Sequence, residues 1–229
     1  MRILFEDNHL LVVMKPAGTP VQADESGDLD LLTKAKAYVK QKYRKPGDVY
    51  LGLVHRLDRP VSGVLVLART SKAASRLSAQ FRAHTPVKRY LALVEGKLYG
   101  AGTEIDYLAK RNRHVRRVKP SYPGAKRAEL DWISRAWGKR NSLIEVTLKT
   151  GRPHQIRVQL AKLKHSILGD LRYGASGPFD GRNLALHCFA LTIEHPTKKE
   201  PMTFTAMPPV TWNGFFGKDV RTIVDDARR

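Results

Sequence analysis

Apolar positions along this chain fall in short blocks bounded by turn residues. Leu10–Met14, Leu51–Val54, Val64–Ala68, Tyr90–Glu95, Ala128–Ile133, Leu143–Leu148, Leu184–Ile193 and Met202–Ala206 each read as a strand. Three stretches carry helical spacing instead. Asp30–Tyr43 sets Leu31, Leu32, Ala35, Tyr38 and Val39 near one face. Ser71–His84 opens with Ser71 as N-cap and sets Ala74, Leu77, Ser78 and Phe81 on one face. Gln155–Leu163 is a mixed pattern, assigned to helix on length and context. Strands and helices do not alternate regularly, which favours an α+β fold with a mixed, mostly antiparallel sheet over a doubly wound one. Leu98–Gly102 and Pro120–Gly124 read as surface turns, and no repeat or long Pro/Gly linker interrupts the chain. Residues 1–229 are therefore expected to form a single domain.

Charge changes the picture. The chain has 41 Lys and Arg against 21 Asp and Glu, a net charge of +20, which points to a polyanionic partner, nucleic acid before any other. A membrane surface is the other polyanion, but no basic amphipathic anchor stands out. Lys110–Arg127 concentrates the excess, with Lys110, Arg111, Arg113, Arg116, Arg117, Lys119, Lys126 and Arg127 and no acidic residue. It reads as a phosphate-contacting surface or as a plain solvated face, with Tyr107 and Tyr122 flanking it. The single cysteine, Cys188, excludes an intrachain disulfide and suits a reducing compartment. No CxxC or HExxH spacing supports a zinc site. Glu6, Asp7 and His9 interrupt the first apolar residues, so no signal peptide is read there. No run approaches the ~18 apolar residues of a membrane span. The expectation is a soluble, cytoplasmic protein.

Three segments combine charge, glycine and position in a way that packing alone does not explain. In LVHRLDRPVSGVLVLART, His55, Arg56, Asp58 and Arg59 lie between two apolar runs. Charges in such a place need partners, and strand ends are where scaffolds present catalytic groups. A turn-capping Asp explains Asp58 equally well from this stretch alone. In KTGRPHQIR, Gly151 and Pro153 lead into a helix, and Arg152, His154 and Arg157 are set to meet an anion or a protein carboxylate near its start. Lys88-Arg89-Tyr90 heads an apolar strand and carries no signal by itself.

Taken in order, HRLD-x-x-x-SG with VLVLA, KRYLALVEG, GRPHQIRVQL, GDLRYG and LALHCFALTIEHP closely resemble the RluA-type pseudouridine synthases. The likeness runs from LLVVMKPAG to FTAMPP. It implies a catalytic domain with a central mixed sheet split by an RNA-binding cleft. It also implies roles: Asp58 as the catalytic aspartate, Arg56 as the arginine that takes the place of the displaced base, and Tyr90 beneath the target uracil. Arg157 matches the arginine that pairs with that aspartate, and Leu186 an aliphatic residue lining the pocket. Val61 stands where many relatives have Thr. Larger relatives carry an S4-like RNA-binding domain for which no room precedes Leu10, which gives the basic segment more weight.

The implied reaction detaches uracil, rotates it and rejoins it to ribose through carbon, and it calls for no metal and no cofactor. A carboxylate is the required group, acting as nucleophile or as base on the sugar. Burial disfavours its charged form and a nearby cation restores it, the part that falls to Arg157. The implied partner is a stem-loop of transfer or ribosomal RNA, bound by a monomer. The competing readings are a non-catalytic RNA-binding or ribosome-assembly protein of the same fold and an aspartate-dependent hydrolase of nucleosides or nucleic acid.

Overall fold

The computed structural model describes residues 1–112, 114–181 and 183–228. Its architecture is α+β, a mixed and mostly antiparallel set of strands with few helices. The elements in chain order are β1 (Arg2–Glu6), β2 (Leu10–Lys15), α1 (Leu31–Lys42), β3 (Gly52–Leu53), β4 (Ser62–Ala68), α2 (Ser71–Ala83), β5 (Val87–Glu95), β6 (Ala101–Arg111), β7 (His114–Val118), β8 (Lys126–Trp137), β9 (Asn141–Leu148), α3 (Gln155–Lys162), β10 (Leu186–Glu194), β11 (Pro201–Thr205) and α4 (Gly217–Asp226). Among the described residues, no helix is long and apolar enough to cross a membrane.

The chain divides into two compact units, each discontinuous in sequence. The first comprises residues 1–86, 188–209 and 224–229. Its strands run in the order β1-β2-β4-β10, with β3 also on β4 and β11 on β10. Strands β2 and β4 pair antiparallel from Leu10 opposite Ala68 to Lys15 opposite Gly63. Every residue of β4 is buried, so the strand reads as a continuous apolar run. Leu10, Val12, Val64 and Val66 pack with Ala73 and Leu77 of α2 and with Leu191, Ile193 and Phe204.

Caps and turns fix the ends. The Asp30 carboxylate accepts the Thr33 N–H at 3.0 Å and starts α1. Helix α2 starts one residue before the expected cap: Thr70, not Ser71, accepts from the Ala73 N–H. Glu6 collects the hydroxyls of Tyr38 and Tyr43 and the ammonium of Lys42, tying the end of α1 to β1. Asp7 caps the β1–β2 turn and also receives Nε2 of fully buried His195 at 2.8 Å.

The second unit comprises residues 87–187 and 210–223, with strand order β5-β9-β8-β6-β7. Helix α3 lies against β6 and β7, and Val158 packs with Leu108, Val115 and Ala128. Strands β1, β6 and β7 and helix α4 were not legible as apolar runs. In β6 the reason is chemical, because Glu104 and Asp106 pair with Lys162 of α3 rather than with apolar side chains. Strand β8 runs past Ile133 through a bulge near Ser134, and β3 keeps only two of the four residues expected.

One glycine of the charged motif is forced by packing. Gly63 has φ +133°, and a Cβ there would meet the Cys188 backbone at 2.4–2.5 Å and its Cβ at 2.6 Å. Gly63→Ala is therefore expected to destabilise the fold by about 2 kcal/mol or more, as overpacking and strain combine. Denaturant unfolding of wild type and variant checks this, and an unchanged midpoint contradicts it.

Candidate active site

In the first unit, the segment that carries Asp58 and Arg56 is a loop fastened from several sides. Val61 N–H donates to the Asp58 carbonyl at 3.0 Å and closes a turn. His55, which had no role in the sequence reading, accepts the Val66 N–H at Nε2 (3.0 Å) and stacks on Phe81 at 4.6 Å. Arg59, likewise without a role, exchanges hydrogen bonds with Gly18: its Nε donates to the Gly18 carbonyl, and Gly18 N–H donates back. Arg59 also pairs with Asp24 and Asp28. Both side chains hold the loop. Asp58 is half-buried and Arg56 exposed.

Beneath the loop lies Lys15, fully buried. Its ammonium donates to the carbonyls of Pro16 (3.0 Å), Arg59 (3.0 Å) and Val61 (2.7 Å). All three N–H donors are used on backbone, two of them on the loop segment that follows Asp58. Burial pulls the Lys15 pKa down to about 7, with the Asp58 charge opposing that fall and Arg59 adding to it. The sequence signal was a lone cation closing an otherwise apolar strand, LLVVMK, and it went unread.

In the second unit, α3 begins at His154, which takes a left-handed backbone conformation with φ +52°. Gln155 shapes this start: its Oε1 accepts from Thr150 Oγ1 and Arg152 N–H, while its Nε2 donates to the Glu129 carbonyl. Arg152 donates to the Arg127 carbonyl at 2.8 Å. Arg157 is buried and forks onto Asp170, Nε to Oδ2 and Nη2 to Oδ1, both at 2.7 Å. That pairing uses two of its five N–H donors. The guanidinium also lies over the Tyr173 ring at 4.9 Å, and the Tyr173 hydroxyl is 2.7 Å from His154 Nδ1. Tyr90 is buried on β5 opposite Val146, and Leu186 is buried at the head of β10. Asp170 and Tyr173 belong to GDLRYG, a motif noticed for its resemblance but given no chemistry.

The basic segment is a hairpin followed by a tight turn. Strands β6 and β7 pair from Tyr107 opposite Val118 to Arg111 opposite His114. Lys110, Arg111, Arg116 and Arg117 are all exposed, while Arg113 lies outside the described residues. Arg116 sits over the Tyr122 ring at 5.6 Å, and Arg117 reaches Asp106 at 3.4 Å. Arg116, Arg117, Lys119, Ser121, Tyr122 and Pro123 line an open recess of about 390 Å³. Among the described residues, no group of three or more His, Cys, Asp or Glu side chains is placed to hold a metal ion.

The family model described as RNA pseudouridylate synthase matches residues 9–162, a span that contains Asp58, Tyr90 and Arg157. A tRNA pseudouridine synthase C from Yersinia pestis is 32% identical over 95% of this chain and 90% of its own length. A protein of the same name from Pectobacterium carotovorum is 33% identical over 93% of this chain, which spans 61% of that relative. A ribosomal large subunit pseudouridine synthase D from Zymomonas mobilis is 36% identical over 91% of the chain and 69% of its length. The solved human RNA pseudouridylate synthase domain containing 4 shares the fold, with a TM-score of 0.76 over 96% of this chain and 92% of its own, at 24% identity. The chain belongs to the RluA-type RNA pseudouridylate synthases, a class of isomerases.

Lys15 makes a signed prediction. Its pKa is depressed in the folded state, so between about pH 7 and about pH 10 the unfolded chain binds more protons and stability from this group rises with pH. Replacing it in Lys15→Met is expected to remove that rise. Denaturant unfolding of both proteins at the two ends of the window checks it, and a wild type–variant difference that does not change with pH contradicts it.

Proposed function

We propose that this chain converts particular uridines of structured RNA to pseudouridine, with Asp58 as the catalytic carboxylate. The observation that carries this reading is the family match across residues 9–162, a span that contains Asp58, Tyr90 and Arg157. In the reaction the N1–C1′ bond breaks, the C5–C1′ bond forms, C5 gives up its proton and N1 gains one. Mass does not change, and no external reductant or energy source enters. Asp58 acts at the sugar, as nucleophile on C1′ or as base.

Tyr90 offers a flat face to the detached uracil, and base–aromatic stacking is worth roughly 1–3 kcal/mol. Arg157 is the arginine that the family resemblance assigns to the catalytic aspartate. Leu186 lines the pocket beside them. The target base leaves its stack at a cost of a few kcal/mol, and exposed Arg56 fills the vacancy with a planar, permanently charged group. Arg152, His154 and the exposed Lys110, Arg111, Arg116 and Arg117 bind the RNA backbone. The relatives are named for transfer RNA and for the large ribosomal subunit, so the substrate is an RNA stem-loop of one of these kinds. The enzyme acts as a cytoplasmic monomer. Residues 1–229 act as one catalytic domain.

Asp58→Asn is expected to abolish tritium release from RNA labelled at uracil C5 while RNA affinity stays within about threefold, since the lost group acts in the transition state. Retained turnover contradicts the assignment; free uracil in solution reassigns the chain to a hydrolase. Replacing Arg116 and Arg117 together is expected to lower the slope of log affinity against log salt by about 1–2. An unchanged slope makes the hairpin a bystander surface.

A further inference from the structure

Two neighbours of the Arg157 guanidinium, Asp170 and Tyr173, lie in the segment between α3 and β10. Asp170 lies at the N-terminus of the 3₁₀ turn Leu171–Tyr173, yet its side chain makes no cap there. Both its oxygens go to Arg157, and the pair is almost wholly buried, with side chains 6% and 1% exposed. A buried bidentate pair fixes both the plane and the direction of the guanidinium. Gly169 lets the chain turn into this position, because at φ +83° a Cβ would come within 2.5 Å of the Asn183 carbonyl.

Tyr173 backs the other surface of the same group with its ring, 4.9 Å away. Its hydroxyl is occupied three ways. It donates to the Val115 carbonyl at 3.1 Å, receives the Val115 N–H at 3.4 Å, and lies 2.7 Å from His154 Nδ1. A phenol has one proton to give and two lone pairs to fill. These contacts occupy the hydroxyl on both sides and tie the ring to Val115 and His154 together. Burial raises the Tyr173 pKa, so the hydroxyl keeps its proton. Val115 belongs to β7, the outer strand of the basic hairpin.

We propose that Asp170 and Tyr173 are positioning residues, which aim Arg157 and join that aim to the placement of the basic hairpin. Asp170 sets the direction of the fork, the Tyr173 ring sets its plane, and the Tyr173 hydroxyl locks β7 to the same side chain. RNA that loads the hairpin through Arg116 and Arg117 therefore acts on a strand tied, through one tyrosine, to the surface on which Arg157 rests. This rests on the assignment of Arg157 to catalysis made above.

The test is a double-mutant cycle, read by single-turnover tritium release from C5-labelled bulk RNA of cells lacking the gene, with filter binding of the same RNA in parallel. Tyr173→Leu is expected to lower the rate constant at saturating RNA about tenfold in the wild-type background and less than about twofold in Arg157→Lys, because the two side chains act as a unit. Tyr173→Phe, which restores the ring, is expected to recover the rate constant but to bind RNA about threefold more weakly, with the tie to Val115 gone. Asp170→Asn is expected to repeat the Tyr173→Leu pattern; a thermal melt reports whether it folds, and the Tyr173 variants decide the question if it does not. A slow Arg157→Lys whose defect simply multiplies with that of Tyr173→Leu overturns this inference alone. Arg157→Lys at wild-type rate overturns the role of Arg157, and this inference with it.

Discussion

The arrangement around Asp58 depends on one buried ammonium. Lys15 ends a core strand, carries no exposed surface, and spends its three donors on carbonyls of Pro16, Arg59 and Val61. An isolated charge in such a place is costly, and its hydrogen bonds offset the cost only while those carbonyls stay where they are. The loop is therefore held by the same side chain that would be destabilised by its departure. His55 and Arg59 add fastenings from either side, to Val66 and to Gly18. The half-buried carboxylate of Asp58 is carried on a backbone with little freedom to shift.

A second fixed point lies in the other unit. The Arg157–Asp170 pair is deeper than any ion pair on the basic surface, whose arginines are about half exposed and held loosely by screened contacts. The two kinds of cation divide the work. Buried arginine is directed by geometry and has one orientation; exposed arginines contribute charge and remain adjustable to a polyanion. Six of the basic residues behind the net charge of +20 lie between Lys110 and Lys119, where adjustment is useful.

Much of this was legible in the sequence. Strands with continuous apolar runs, β2, β4, β5, β9 and β10, were placed within a few residues, because burial on both faces leaves an unbroken signal. Strand β6 was not, since its face toward α3 is acidic and is satisfied by Lys162 and Gln159. Thr70 rather than Ser71 caps α2, a one-residue error between two residue types equally suited to the position. The HRLD and GRPHQIR motifs drew attention through charges in apolar company. Lys15 and Asp170 sit in the same kind of company and were passed over, because each looks ordinary until its partner, distant in sequence, is seen.

The central claim is that the chain isomerises uridine in RNA, and it is tested most directly in the cell. Pseudouridines are mapped at single-nucleotide level in total RNA from cells with the gene and cells without it. The account predicts loss of pseudouridine at one or a few discrete sites in transfer or ribosomal RNA, with every other site unchanged. Identical maps from the two strains would contradict it.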